Sequence, residues 1–284
     1  VTVPAEFDRL KVVLVNARNP LNIGAAARAM SNFGFLRLRV VNPYDAGFRE
    51  ARSAVGASSV LADAQQPGSV AEAVADCTLV VGTTAVGERE LHHRVRPLAE
   101  GARLMRGRMR SSNVALLFGS ERVGLSNEEL SHCHWLLRIP TRVEHRSMNL
   151  GQAVAICMYE LGRRAEERNS GARGLTDSGL AAKAAGKKLP GVAREGDQQS
   201  WKVLKDRAQK KPANAEDVER LTATLMEALY LSGYLHAKSG KIPGEKVRRL
   251  LRRHHLTAND ADLWQSMLGQ IVWKLRAAGE KFEE

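Results

Sequence analysis

Three segments put small and polar side chains where an apolar run ends, which is where loops on a rigid scaffold most readily carry chemistry. The first, Asn-Ala-Arg-Asn-Pro-Leu-Asn-Ile-Gly-Ala-Ala-Ala-Arg over residues 16–28, leaves an apolar run and opens a helical pattern. Asn22 is placed to cap that helix, and Gly24 with the alanines allows close backbone packing. The helix start together with Arg18 and Arg28 makes a corner able to grip phosphate. The second segment, residues 115–126, runs from an apolar stretch into a loop bounded by Gly119 and Gly124 that holds one carboxylate, Glu121. The third, residues 137–150, passes through Ile139 and Pro140 into a polar loop and then a helix with Asn149 at its N-cap. Singly each is ordinary turn chemistry; together and in this order they are far more specific.

Apolar runs at 11–15, 36–41, 79–81, 114–118 and 136–139 predict the buried strands that must carry these loops. Helical patterns at 23–32, 69–75 and 127–132 lie between them, and Leu150, Ala153, Val154, Cys157 and Leu161 share one face of a helix after Asn149. The alternation predicts an α/β domain with a mainly parallel sheet over residues 1–162, and leaves the strand order open. Residues 163–211 hold six Arg and seven Lys against six acidic residues and few large apolar ones, the composition of a basic flexible linker. Three further helical patterns at 216–236, 245–255 and 258–278 predict a small all-helical domain over residues 212–284.

The chain carries 43 Lys and Arg against 31 Asp and Glu, a formal charge of +12, and the linker alone holds +7 of it. Such a surplus points to a polyanion, nucleic acid before membrane, because no strongly basic amphipathic helix opens or closes the chain. No apolar run approaches a membrane span, which predicts a soluble cytoplasmic protein without a membrane partner. Three scattered cysteines, Cys77, Cys133 and Cys157, read as reduced core residues. Gly119 and Gly124 have the spacing of a phosphate-binding P-loop, but Leu125 stands where its lysine belongs, so ATP is not expected. His92 and His93, His132 and His134, and His254 and His255 lack zinc-site spacing, so no metal is expected. There is no GxGxxG dinucleotide fingerprint. The middle C-terminal helix is basic on a broad face, making Arg248, Arg249 and Arg252 candidate RNA contacts.

The three segments resemble the three motifs of the SpoU-type RNA 2′-O-ribose methyltransferases of the SPOUT superfamily: Asn-x-Gly-Ala-x-x-Arg at 22–28, Phe-Gly-x-Glu-x-x-Gly-Leu at 118–125, and Ile-Pro followed by Ser-x-Asn within 139–149. Residues 214–278 are similar to the helical extension of the TrmJ-like tRNA methyltransferases, which modify the ribose of nucleotide 32 in the anticodon loop. The resemblance implies a six-stranded α/β domain with a trefoil knot, a homodimer, tRNA as partner and S-adenosylmethionine as cofactor. It implies that the cofactor is held by Thr83, Thr84, Leu117, Phe118, Gly119, Gly124, Ile139, Ser147, Met148, Asn149 and Leu150. Arg28 would orient the ribose hydroxyl and favour its alkoxide, with Ser147 and Asn149 shaping the site and Asn22 holding the start of the helix. Glu121 would anchor an arginine or organise its own loop, and Arg18, Arg28, Arg89 and Arg122 would meet RNA. Val86 and Gly87 stand where the family often has an arginine, which makes Arg89 the nearest substitute. Competing readings are a ribosomal RNA methyltransferase of the same fold and a non-catalytic RNA-binding protein that keeps the scaffold.

Overall fold

β1 (Leu10–Val15), β2 (Leu38–Val41), β3 (Leu79–Thr83), β4 (Val95–Pro97), β5 (Val114–Phe118) and β6 (Trp135–Arg138) form one sheet in the order β2-β1-β5-β3-β6-β4. Every pairing is parallel. The computed structural model describes residues 4–43, 48, 59–85, 92–142, 144–173, 211–235 and 242–279. Alternate residues point to opposite faces, and both faces are covered, which is why the strands are continuously apolar. Val12, Leu14, Val81, Leu116 and Leu137 join a core with Ile23 and Met30 of α1 (Pro20–Asn32), Met105 of α4 (Leu98–Met109) and Cys157 of α6 (Leu150–Arg173). Val13, Val80, Leu117 and Leu136 join a second core with Val74 of α3 (Val70–Val74) and Leu130 of α5 (Asn127–Ser131). A single turn, α2 (Ser59–Ala62), adds Val60 and Leu61 to the first core. The cysteines are free and buried.

The expected strands are present, with bounds shifted by one or two residues. β4 and α4 had no clear signal. β4 is a three-residue edge strand ending in Pro97, and a proline is tolerated at such an edge because its missing N–H faces no partner. α4 contains Gly101, which weakens its helical pattern but has no room for a side chain: a Cβ there would lie 2.2 Å from Leu137 Cδ1. α6 runs on to Arg173, past the boundary expected at 162, while residues 174–210 of the expected linker lie outside the described residues. Among the described residues no helix is long and apolar enough to cross a membrane.

The C-terminal segment forms α7 (Ala215–Leu231), α8 (Ile242–Arg253) and α9 (Ala258–Gly279), and it packs on the α/β domain. Ala215 belongs to the second core, its N–H donates to the Cys77 carbonyl at 2.8 Å, and the Glu216 N–H donates to Ala75 O at 3.1 Å. This docking takes Arg248 and Arg252 of α8 out of the expected RNA contacts. Arg252 is only 1% exposed; its guanidinium donates to Ala215 O at 3.1 Å and lies 3.8 Å from Glu219. Arg248 grips the same carboxylate at 2.7–3.1 Å and donates to Ser131 Oγ at 2.9 Å. Both cations are spent on holding α8 to α7 and α5. Arg249 is half-buried, like Arg248, but its side chain makes no hydrogen bond or ion pair with a described residue.

His132, His134 and His255 pack at this seam. His134 Nδ1 accepts the Val80 N–H at 3.1 Å, and its ring stacks on His255 with centroids 5.5 Å apart. His132 sits 3.7 Å from Glu219, yet burial and then the Arg248 charge push its pKa down to about 3 against the pull of that carboxylate, so it stays neutral. An unfolded chain takes up this proton near the ordinary value of 6.5 and the folded chain does not, so stability falls as the pH drops from 6.5 toward 3. The unfolding free energy from urea titration should therefore decrease on acidification, by about 1 kcal/mol between pH 6.5 and 5.5 from His132 alone. His134 and His255, both also lowered by burial, add in the same direction. A flat stability profile over that range would contradict the neutral assignment.

Candidate active site

The first segment turns out of β1 and enters α1 at Asn19, not at the expected Asn22. Asn19 Oδ1 accepts the Leu21 N–H at 2.9 Å, and Pro20 occupies the first helical position, where its missing N–H costs nothing. The Asn-Pro pair was the available sequence signal. Asn22, a turn further on, is freed for a different task. Its Oδ1 accepts from Asn149 Nδ2 at 2.7 Å, and its Nδ2 donates to Glu121 Oε1 at 3.1 Å. One residue from each of the three segments thus enters a single hydrogen-bonded chain. Asn149 also caps α6 as expected, its Oδ1 accepting from the Gly151 N–H at 2.9 Å and the Gln152 N–H at 3.3 Å.

Glu121 accepts the N–H groups of Arg18 at 3.3 Å and Asn19 at 3.2 Å. Its partners are backbone and amide, so it organises the first segment's loop and anchors no arginine side chain among the described residues. Burial works to raise its pKa, but hydrogen bonds from its own backbone, Asn22, Asn19 and Arg18 outweigh this and hold it below the usual carboxylate range. Close backbone packing occurs at a different glycine from the expected one. A Cβ on Gly24 would meet nothing within 4 Å, whereas one on Gly151 would lie 2.7 Å from Ala25 Cβ, where α6 crosses α1.

The loop after β5 folds back on itself. The Gly124 N–H donates to Ser120 O at 2.9 Å, Gly124 has φ +69°, and a Cβ on Gly119 would fall 2.1 Å from the Gly124 carbonyl carbon. Both glycines are therefore required by the turn. Beside it Thr83 Oγ1 donates to Leu117 O at 2.9 Å, and the Thr84 N–H donates to Leu137 O at 3.0 Å. Thr83, Thr84, Leu117, Phe118, Gly119 and Ile139 thus lie at the carboxyl ends of the neighbouring strands β5, β3 and β6, the end at which open α/β sheets bind ligands. The side chains of Leu117, Phe118 and Leu150 are buried, so these three can offer a ligand only their backbone. Thr84, Gly119, Ile139 and Met148 are half-buried, and Gly124, Ser147 and Asn149 are exposed.

The remaining expected contacts surround this edge. Arg18, Arg28 and Arg122 are exposed, and their side chains make no hydrogen bond or ion pair with any described residue. Arg89 lies outside the described residues. Arg138 and Arg142 in the third segment are also exposed, Arg142 beside Glu144 at 3.4 Å. Motif spacing does not mark them, although the loop between Ile139 and Asn149 is rich in basic residues. The rim is basic while the strand ends inside it are backbone and small or apolar side chains. That lining suits a neutral aromatic ring held by main-chain groups.

Comparison with known proteins agrees with this geometry. Residues 9–159 match the model of the SpoU rRNA Methylase family. A Haemophilus influenzae protein described as an uncharacterized tRNA/rRNA methyltransferase is 37% identical over 55% of this chain, which spans 63% of that relative's length. The Yersinia pestis tRNA (cytidine/uridine-2′-O-)-methyltransferase TrmJ is 31% identical over 93% of this chain and 92% of its own. The crystal structure of TrmJ from Zymomonas mobilis superposes with a TM-score of 0.69 at 27% identity, covering 92% of this chain and 98% of that one. The match of the family model over the whole sheet, together with the convergence of the three segments, establishes that the chain belongs to the SpoU methylase family and is an RNA methyltransferase.

Proposed function

We propose that this enzyme transfers a methyl group from S-adenosylmethionine to a ribose 2′-oxygen of tRNA, at nucleotide 32 of the anticodon loop, and works in the cytoplasm as a homodimer. The observation that carries the reading is the Glu121–Asn22–Asn149 chain, which joins the three motif segments beside the exposed Arg28. The Yersinia relative named for cytidine/uridine 2′-O-methylation of tRNA aligns through the C-terminal helices as well, which favours tRNA over ribosomal RNA. Exposed apolar side chains on α1 and α6, Leu21 at 78% and Tyr159 at 51%, support a second subunit. In this reading residues 1–162 bind the donor, 163–211 tether tRNA through their surplus charge, and 212–284 extend the RNA surface.

S-adenosylmethionine supplies, when bound, a methyl group on a sulfonium centre, so the chain has mainly to position the acceptor oxygen and ease its deprotonation. The strand-end backbone at Thr84, Leu117–Gly119 and Ile139, with Met148 and Leu150, would hold it. A guanidinium offers only donors, so Arg28 does not take up the proton. Its guanidinium orients the 2′-hydroxyl and a neighbouring phosphate and favours the alkoxide, while the proton passes to solvent water. Asn22, held by Glu121 and Asn149, sets the first turn of α1 and with it the direction from which Arg28 arrives; Ser147 adds a hydroxyl at the rim. Arg18 and Arg122 take phosphates, which gives affinity and salt dependence without sequence preference. The test is to incubate the full chain with unmodified bulk tRNA and labelled donor, digest, and identify the methylated nucleoside and its position. A 2′-O-methylated pyrimidine at nucleotide 32 is expected; methylation on a base overturns the reading.

A further inference from the structure

Between β1 and α1 the chain turns at Asn16, whose φ of +54° lies in the left-handed region. Its Nδ2 donates to Glu129 Oε1 at 2.6 Å across 113 residues of sequence. The other oxygen of that carboxylate accepts the Ser126 N–H at 2.6 Å, while Ser126 Oγ accepts the Glu129 N–H at 3.2 Å, closing a capping box on α5. Capping needs only Ser126 and Glu129. The bond to Asn16 is additional, and it joins the start of the first motif segment to the end of the glycine loop. Two and three residues after Asn16, the N–H groups of Arg18 and Asn19 meet the second carboxylate of the same stretch, Glu121. The loop over residues 16–19 is therefore held at both ends by carboxylates from residues 121–129, and this loop delivers Asn19 and Pro20 to the start of α1.

We propose that Glu129 is a positioning residue for methyl transfer, acting through Asn16 to fix the start of α1, and so Asn22 and Arg28, against the glycine loop. The proposal rests on the ribose-methylation reading above, and Glu129 itself touches neither substrate nor donor. Its effect is geometric: a shift of about 1 Å in a group that orients the acceptor costs on the order of a hundredfold in rate. The amide-carboxylate pair also has an exchangeable polarity. Asn16→Asp sets two carboxylates against each other while keeping a residue type that tolerates the left-handed turn. Adding Glu129→Gln supplies a new amide that donates to the new carboxylate and still accepts from Ser126.

The experiment compares full-length wild type, N16D, E129Q and N16D/E129Q by steady-state methylation of tRNA and by hydrogen exchange at the Arg18 and Asn19 amides. N16D is expected to lower kcat at least about tenfold with KM for tRNA changed less than about threefold, because positioning is lost and uniform binding is not. Exchange at Arg18 and Asn19 should quicken in the same variant. The double variant should recover both to within about threefold of E129Q. Wild-type kcat and exchange in N16D, or a folded double variant no better than N16D, overturns the proposal. Should N16D fail to fold, Asn16→Gly keeps the left-handed backbone and deletes only the donor, and unchanged exchange there overturns it equally. If wild type methylates a base, the ribose reading fails, while the exchange comparison still decides whether Glu129 holds the loop.

Discussion

Glu219→Gln is expected to lower the stability of the chain by about 3 kcal/mol and to loosen the C-terminal helices from the sheet. The carboxylate faces Arg248 at 2.7 Å, Arg252 at 3.8 Å and the neutral His132 at 3.7 Å. Arg252 depends on it most. Its Nε and one terminal nitrogen are buried without hydrogen-bond partners among the described residues, and burial first of all pulls its pKa down to about 10. Breaking a buried pair by removing one partner leaves an uncompensated charge and costs more than the pair contributed; the low end of the usual range of about 3–5 kcal/mol applies because Glu219 keeps some access to water. Arg252→Met should by contrast be close to neutral, since it removes the desolvated cation and keeps its volume. Urea unfolding followed by tryptophan fluorescence reads both, because Trp264 and Trp273 lie on α9 and Trp135 on β6. A loss below about 1 kcal/mol in Glu219→Gln would mean that the pair is no more than a surface contact.

Arg28→Ala is expected to cut methyl transfer by about 10²–10³-fold, the size of effect seen when one preorganised donor to a developing oxyanion is deleted. The melting curve should hardly move. Arg28 is exposed and bonds to no described residue, and surface substitutions of that kind usually shift stability by no more than about 0.5 kcal/mol. Donor affinity should also be unchanged, because the strand-end backbone that would hold the donor does not include Arg28. Arg28→Lys should recover only part of the rate, since a point charge replaces the planar fork able to bridge hydroxyl and phosphate. Near-normal transfer by a folded Arg28→Ala protein would remove Arg28 from the reaction and leave it as an RNA contact.

Much of this site was legible because its residues announce themselves locally. An asparagine followed by Ile-Gly-Ala, a glycine pair around one glutamate and a capping Asn149 are turn and cap chemistry, set by neighbours a few residues away. The buried strands were legible for the same reason, since an apolar run covered on both faces needs no knowledge of its neighbours. The docked arginines were not. A helix reading Lys-Val-Arg-Arg-Leu-Leu-Arg-Arg over residues 246–253 looks solvent-facing until Glu219, 29 residues before Arg248, is brought against it. The edge strand β4 escaped because three residues ending in proline carry no periodicity.

The amino-acid sequence by itself determined the class of protein: an α/β sheet with polar loops at its strand ends, a helical C-terminal segment and a charge suited to RNA. Tertiary structure decided which of those polar groups meet. Asn22 lies 99 residues from Glu121 and 127 from Asn149, and Asn16 lies 113 from Glu129. Such pairs form only once β5 is inserted beside β1 and α6 returns across α1, and periodicity within a segment carries no information about strand order. Propensity and patterning act over a few residues, whereas the hydrogen bonds that hold the start of α1 and the ion pair that buries Arg252 depend on which distant segments the shared core brings together.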